Sequence, residues 1–154
     1  MVVFAAGRWN ECSYGVLDPL DARSCYPESK RAAETLLKSY YLQYGVTFNT
    51  IRIAHSYGTT MKLENFTVLF HGEPAMAYNL ANETESISIK DLAHKLAALR
   101  EDKKIQVVVS EGEHKGYCAY RRTALDTSTI EQLGWKPQIS LKEGINRVLR
   151  TAAM

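Results

Sequence analysis

Tyr26 and Lys30 stand four apart in the run Cys25-Tyr26-Pro27-Glu28-Ser29-Lys30-Arg31-Ala32-Ala33-Glu34. On a helix that spacing sets a phenol and an ammonium on one face, within reach of one ligand. A phenol ordinarily titrates at about 10, too high for a base at neutral pH. A neighbouring ammonium favours the phenolate, and a cationic ligand alongside favours it further. Such a pair can take a proton from an alcohol or sugar hydroxyl while hydride leaves the carbon. The spacing by itself is not specific. Nine Tyr and ten Lys among 154 residues make one such pair a fair chance event. A surface tyrosine beside a solvated lysine is the plain alternative.

The elements around the pair follow from local signals. Residues 2–7 (VVFAAG) form a short apolar run that predicts a buried strand, and 8–24 read as a loop with a turn at Asp18-Pro19. Pro27 suits a first helical turn and Glu28 suits the positive end of the helix dipole. Ser29, Ala33, Leu36, Leu37, Tyr40 and Tyr44 recur at helical spacing and predict one buried stripe, with Gly45 as the stop. Residues 46–54 are rich in β-branched side chains and predict a strand. Strand, loop, helix and strand in that order predict a right-handed parallel crossover. Further on, strands are expected at 75–81 and 105–109. Helices are expected at 88–100 with Ser88 as cap, at 126–134 opened by Thr127 or Ser128, and at 140–152 with Ser140 and Glu143 as a capping box.

Composition excludes several classes of function. An apolar content of 45% against 23% charged is that of an ordinary globular domain, and a net charge of +2 with no basic tract argues against nucleic acid. No apolar run approaches the roughly 20 residues that span a bilayer, and the first seven residues are too short for a signal sequence. Cys12, Cys25 and Cys118 are odd in number and widely spaced, which favours free thiols in the cytoplasm over a disulfide framework or a metal site. His71, His94 and His114 are scattered and read as surface residues.

The residues flanking Tyr26 and Lys30 carry a resemblance. RSCYPESKRAAETLLKSYYLQYGVTFNTIRIAHSYG (23–58) closely resembles the active-site helix and following strand of extended short-chain dehydrogenase/reductases. Within them it is most similar to the NAD-dependent sugar-nucleotide epimerase/dehydratase group, particularly members like UDP-glucuronate decarboxylase. AYNLANETESISIKDLAHKL, AYRRTALDTSTIEQLGWKP and SLKEGINRVL resemble later stretches of that group in the same order. The resemblance implies an α/β fold, here a partial Rossmann-like parallel sheet with a remnant of the C-terminal substrate-binding region. Residues 1–64 would be the C-terminal half of the NAD-binding domain, and 65–154 the rest of the sheet plus the sugar-nucleotide region.

It also implies roles. Tyr26 would be the base of the Tyr-x-x-x-Lys pair, Lys30 the anchor of the NAD ribose, and Ala54 a neighbour of the nicotinamide. His55 takes the place of the family's substrate-contacting Asn. Arg121 and Arg122 fall where the family keeps a basic residue near the substrate diphosphate, a task that suits guanidinium. The expected chemistry begins with oxidation of a sugar carbon in a nucleotide-sugar, with a UDP-sugar favoured and the NAD retained and recycled. The expected partner is a second copy, paired through the Tyr26 helix.

Departures from the family pattern are equally explicit. The glycines at 7, 15, 45, 58, 72, 112, 116, 134 and 144 hold no GxxGxxG spacing of the kind whose amides cradle a pyrophosphate. Ala5 and Ala6 stand where a Ser or Thr usually hydrogen-bonds the reacting hydroxyl, with Ser13 or Ser24 as substitutes. The first half of the sheet is not expected in these residues, and a second gap is expected at Asn65-Phe66. The sequence thus predicts an impaired enzyme of low stability, or one whose exposed apolar surface is covered in an oligomer. A non-catalytic oligomerisation or nucleotide-binding module is the alternative.

Overall fold

The computed structural model describes residues 7–12, 18–54, 57, 66–109 and 123–152. Its elements are β1 (Gly7–Trp9), α1 (Cys25–Tyr44), β2 (Asn49–Ile53), α2 (Phe66–His71), β3 (Met76–Leu80), α3 (Ile89–Ala98), β4 (Thr123–Leu125), α4 (Ser128–Gln132) and α5 (Leu141–Ala152). They group into two compact units. One holds β1, α1, β2, α2, β3, β4 and α4; the other holds α3, α5 and Tyr57.

Both strand pairings are parallel, as a Rossmann-like sheet requires. β2 pairs with β3 from Asn49↔Met76 to Ile53↔Leu80, and β1 pairs with β4 from Gly7↔Thr123 to Trp9↔Leu125. The N–H of Ala75 to Phe48 O (2.7 Å) and of Ala54 to Leu80 O (2.9 Å) extend the β2–β3 pair at its two ends. Parallel strands cannot be joined by a tight hairpin, and α2 lies in the connection between them.

The expected crossover into β2 starts from a strand that lies almost wholly outside the described residues. Among the described residues β1 shares no ladder with β2. Side chains join the two pairs instead: Asn79 N–H donates to Glu11 Oε1 (3.2 Å), and Asn79 Nδ2 donates to Asp126 O (3.1 Å). Asn79 is fully buried, so these bonds satisfy groups that would otherwise be costly. The strand expected at 2–7 lies, apart from Gly7, outside the described residues. β1 occupies the start of what reads as a loop. Its carboxyl end therefore carries Asn10 and Glu11, neither of which has a hydroxyl.

The core of the first unit is small. Val68, Tyr78 and Ile130 are buried, and Ile51, Leu80, Leu133 and Trp135 pack against them. Tyr78 contributes a polar tip, accepting from Glu73 N–H at 2.7 Å. Gly72 is required here by close approach, since a Cβ would stand 2.5 Å from the carbonyl oxygen of Val68.

Local signals at helix ends are well obeyed. Gly45 adopts the left-handed conformation (φ 68°) and its N–H closes α1 on Tyr41 O. Ser88 caps α3, accepting from Asp91 N–H at 3.0 Å. Ser140 accepts from Glu143 N–H at 3.2 Å and opens α5. Thr127 stands at the cap position of α4 and is buried, its hydroxyl donating to Glu131.

Two expectations fail. The stripe on α1 is not buried: Leu36 is 60%, Tyr40 54% and Tyr44 70% exposed, and Pro27 is the one buried residue of that helix. The side turned inward is Pro27, Arg31, Glu34 and Tyr41, with Tyr41 meeting Phe48 edge-on at 6.4 Å. Periodicity found an apolar face, but the face stays exposed among the described residues. Residues 105–109 form no strand, and Val108 is 86% exposed. A β-branched run becomes a strand only where a neighbour offers an edge, and no described residue does so here.

Candidate functional site

The head of α1 grows out of a 3-10 turn, Ala22–Ser24, whose last residue is buried. Ser24 N–H donates to Asp21 O at 2.8 Å, so the chain enters the helix already coiled. Ser29 Oγ donates to Tyr26 O at 2.7 Å and occupies a carbonyl of the first turn. Tyr26 is 56% exposed and Lys30 is exposed. Lys30 Nζ lies 5.3 Å from the centroid of the Tyr26 ring, within the range at which an ammonium is held by an aromatic face. The helix thus presents a phenol and an ammonium side by side to solvent, the arrangement a ligand with a hydroxyl or ribose could enter.

Ala54 follows β2 at its carboxyl end, the end at which open α/β sheets bind ligands. Its N–H is used by Leu80 O and the residue is half-buried. His55, Arg121 and Arg122 lie outside the described residues, as do Ala5, Ala6, Ser13 and His114. His71 and His94 are exposed.

The residues that hold this site together are ones to which the sequence reading assigns no role. Arg52, two before Ala54 on β2, makes a two-toothed pair with Glu34 of α1: Nε to Oε1 at 2.9 Å and Nη2 to Oε2 at 2.6 Å. Its Nη1 donates to Glu11 O at 2.7 Å, just past β1. The Glu11 carboxylate in turn accepts from Asn79 N–H and from Thr129 Oγ1, 3.2 Å each. Arg52 and Glu34 are largely buried, with 14% and 27% of their side chains exposed, so the pair sits where removing one partner is costly. One signal for it is readable in the chain. Glu34 follows Lys30 by four and Tyr26 by eight, which continues a single helical stripe.

A cleft of about 370 Å³ lies elsewhere, lined by Phe48, Asn49, Val68, Leu69 and others at the opposite end of β2 from Ala54. No titratable side chain lines it, which leaves the Tyr26–Lys30 pair as the candidate for proton transfer.

Residues 11–109 match the family described as NAD dependent epimerase/dehydratase. Among curated relatives, UDP-glucuronic acid decarboxylase 1 of Arabidopsis thaliana is 28% identical over 173 residues, covering 90% of this chain and 40% of the relative. UDP-glucuronic acid decarboxylase 1 of Danio rerio is 25% identical, covering 92% of this chain and 42% of the relative. The chain therefore spans less than half the length of these relatives. Among solved structures, a dTDP-glucose 4,6-dehydratase from Streptomyces venezuelae with NAD bound superposes with a TM-score of 0.70 at 22% identity, over 94% of this chain and 54% of the other. The Bordetella bronchiseptica enzyme WbmF, in complex with NAD+ and UDP, gives 0.68 at 16% identity, over 95% and 58%. At such identities these likenesses speak for the Rossmann-type fold. The match over residues 11–109, well more than half of the chain, carries the stronger conclusion: this chain belongs to the NAD-dependent epimerase/dehydratase family.

Proposed function

We propose that α1 carries the proton-transfer pair of an NAD-dependent sugar-nucleotide epimerase/dehydratase site. Tyr26 is the base, Lys30 holds the cofactor ribose, and Ala54 lies beside the nicotinamide. His55, Arg121 and Arg122 serve the nucleotide-sugar, for which a UDP-sugar is favoured by the names of the related decarboxylases. The observation that carries this reading is the Lys30 ammonium 5.3 Å from an exposed Tyr26 ring. NAD, when bound, supplies the acceptor for a hydride from the sugar carbon. The chain's own work is to take the hydroxyl proton at Tyr26 Oη and to hold the ribose hydroxyls with Lys30 Nζ.

The residues present fit one end of the cofactor. An exposed phenol and ammonium on one helix face suit the ribose next to the nicotinamide. The pyrophosphate needs clustered backbone amides, and the nine glycines hold no such spacing. Binding by this chain is accordingly weak and turnover impaired, because catalysis by positioning depends on both ends being held.

The bare stripe of Leu36, Tyr40 and Tyr44 supports a second copy docked on α1, and it equally favours the non-catalytic reading in which the chain is an oligomerisation or nucleotide-binding module. NAD titration by calorimetry separates the two. The expected result is saturable binding that weakens about tenfold or more in Lys30→Met, with sedimentation showing a dimer that Leu36→Ser with Tyr40→Ser dissociates. NAD binding unchanged by Lys30→Met would remove Lys30 from the site. A dimer with no NAD binding would leave the oligomerisation module as the function.

A further inference from the structure

We infer that Arg52 is a positioning residue, which fixes the Tyr26–Lys30 helix against the strand that ends in Ala54. The structural half of this stands on the geometry alone; its consequence for NAD rests on the function proposed above.

Three elements meet at one guanidinium. The strand β2 supplies Arg52 itself, α1 supplies both oxygens of Glu34 at 2.9 and 2.6 Å, and the chain beyond β1 supplies Glu11 O at 2.7 Å. Apolar packing does not do this job. The inward side of α1 offers Pro27 and Tyr41 at its two ends, and between them stand Arg31 and Glu34. A helix packed through a narrow, largely polar side is free to slide or roll unless something directional stops it. A two-toothed guanidinium–carboxylate pair is directional, because both N–H···O bonds must be made at once. Glu34 continues the stripe of Tyr26 and Lys30, so fixing Glu34 fixes the heading of the phenol and the ammonium. Ala54 follows Arg52 by two, just past the end of β2, where its N–H still bonds Leu80 O, so the same clamp sets the distance from that pair to the proposed nicotinamide position. Glu11 braces the clamp from behind through Asn79 and Thr129.

Lysine cannot reproduce this arrangement, since an ammonium offers a point charge in place of a planar fork. Arg52→Lys therefore keeps the charge and loses the heading, while Glu34→Gln keeps the shape and loses charge assistance.

The test places spin labels at the native Cys25, the first residue of α1, and at Met76→Cys in β3, in a Cys12→Ser, Cys118→Ser background. Pulsed dipolar spectroscopy then reads the helix-to-strand distance. A single narrow distribution is expected with Arg52 present, a broad one in Arg52→Met, and an intermediate one in Arg52→Lys and Glu34→Gln. NAD titration of the unlabelled variants, at a temperature where circular dichroism shows each fully folded, is expected to show affinity falling about tenfold in Arg52→Met. A purely structural role would lower the melting temperature and leave both the distance and the affinity of the folded protein alone. A distribution as narrow in Arg52→Met as with Arg52 overturns the inference, whether or not NAD binds. If Arg52→Met does not fold, the narrow or broadened distribution in Arg52→Lys decides it. Failure of the unsubstituted chain to bind NAD sinks the proposed function, and the distance measurement still decides the role of Arg52.

Discussion

Two tyrosines, Tyr26 and Tyr57, are about equally exposed, 56% and 50%, and stand in different surroundings. Tyr57 is tied into its unit. Its hydroxyl donates to Leu141 O at 3.2 Å, at the start of α5, and its ring stands against Gly144, where an added Cβ would come within 2.5 Å of the phenol oxygen. Burial, with help from the nearby Glu85 carboxylate, raises its titration above 10.0. Glu85 also receives Leu141 N–H, so the two side chains together dress the first turn of α5. At Tyr26 the recorded contact of the ring is an ammonium. Exposure alone does not tell a structural phenol from one available for chemistry. The surroundings do: Tyr57 is held by a backbone carbonyl and a packed glycine, whereas the Tyr26 ring faces an ammonium.

The largest expected effect on stability in this pair belongs to Tyr57. Tyr57→Phe removes one hydrogen bond at a half-exposed site and should cost about 1 kcal/mol, read as a lower urea midpoint with unchanged slope. NAD affinity should not move. Next comes a pH dependence with a definite sign. The folded chain keeps the Tyr57 proton longer than the unfolded chain does. Its contribution is therefore complete below the ordinary phenol value of about 10 and is lost as pH rises through the raised folded value. Denaturation measured between neutral and strongly alkaline pH should show a decline confined to the alkaline side, and that component should vanish in Tyr57→Phe. The smallest effect is at Tyr26, where Tyr26→Phe should change stability by less than about 0.5 kcal/mol, as surface substitutions generally do. A larger loss at Tyr26 than at Tyr57 would reverse the assignment of roles.

Much of this structure is legible where one residue decides one local geometry. Gly45 ends α1 because a left-handed residue is needed there, and Ser88 and Ser140 open helices because their oxygens meet orphan N–H groups. β2 likewise falls where β-branched residues gather, and β3 lies within the run expected at 75–81. What escapes the sequence is anything that depends on a distant partner. The stripe on α1 is periodic, yet periodicity says nothing about whether another element arrives to cover it. The 105–109 run has the composition of a strand without a described edge to join. Arg52 and Glu34 are 18 residues apart and neither looks unusual in its own window; only the fold brings fork and carboxylate together. Within the candidate site, the Tyr26–Lys30 spacing was readable and its support was not.

Among the described residues no helix is long and apolar enough to cross a membrane, and one side of α1 carries exposed Leu36, Tyr40 and Tyr44.

The measurement that bears most directly on the central claim is an NAD titration followed at the Tyr26 ring, using tyrosine labelled with carbon-13 at Cζ and Tyr26→Phe to assign the signal. Saturable movement of the Tyr26 resonance, with Tyr57 unmoved, is the predicted result. A Tyr26 resonance that stays fixed at NAD concentrations up to the limit of solubility, or that stays fixed while other tyrosines shift, would contradict the placement of the cofactor at the head of α1.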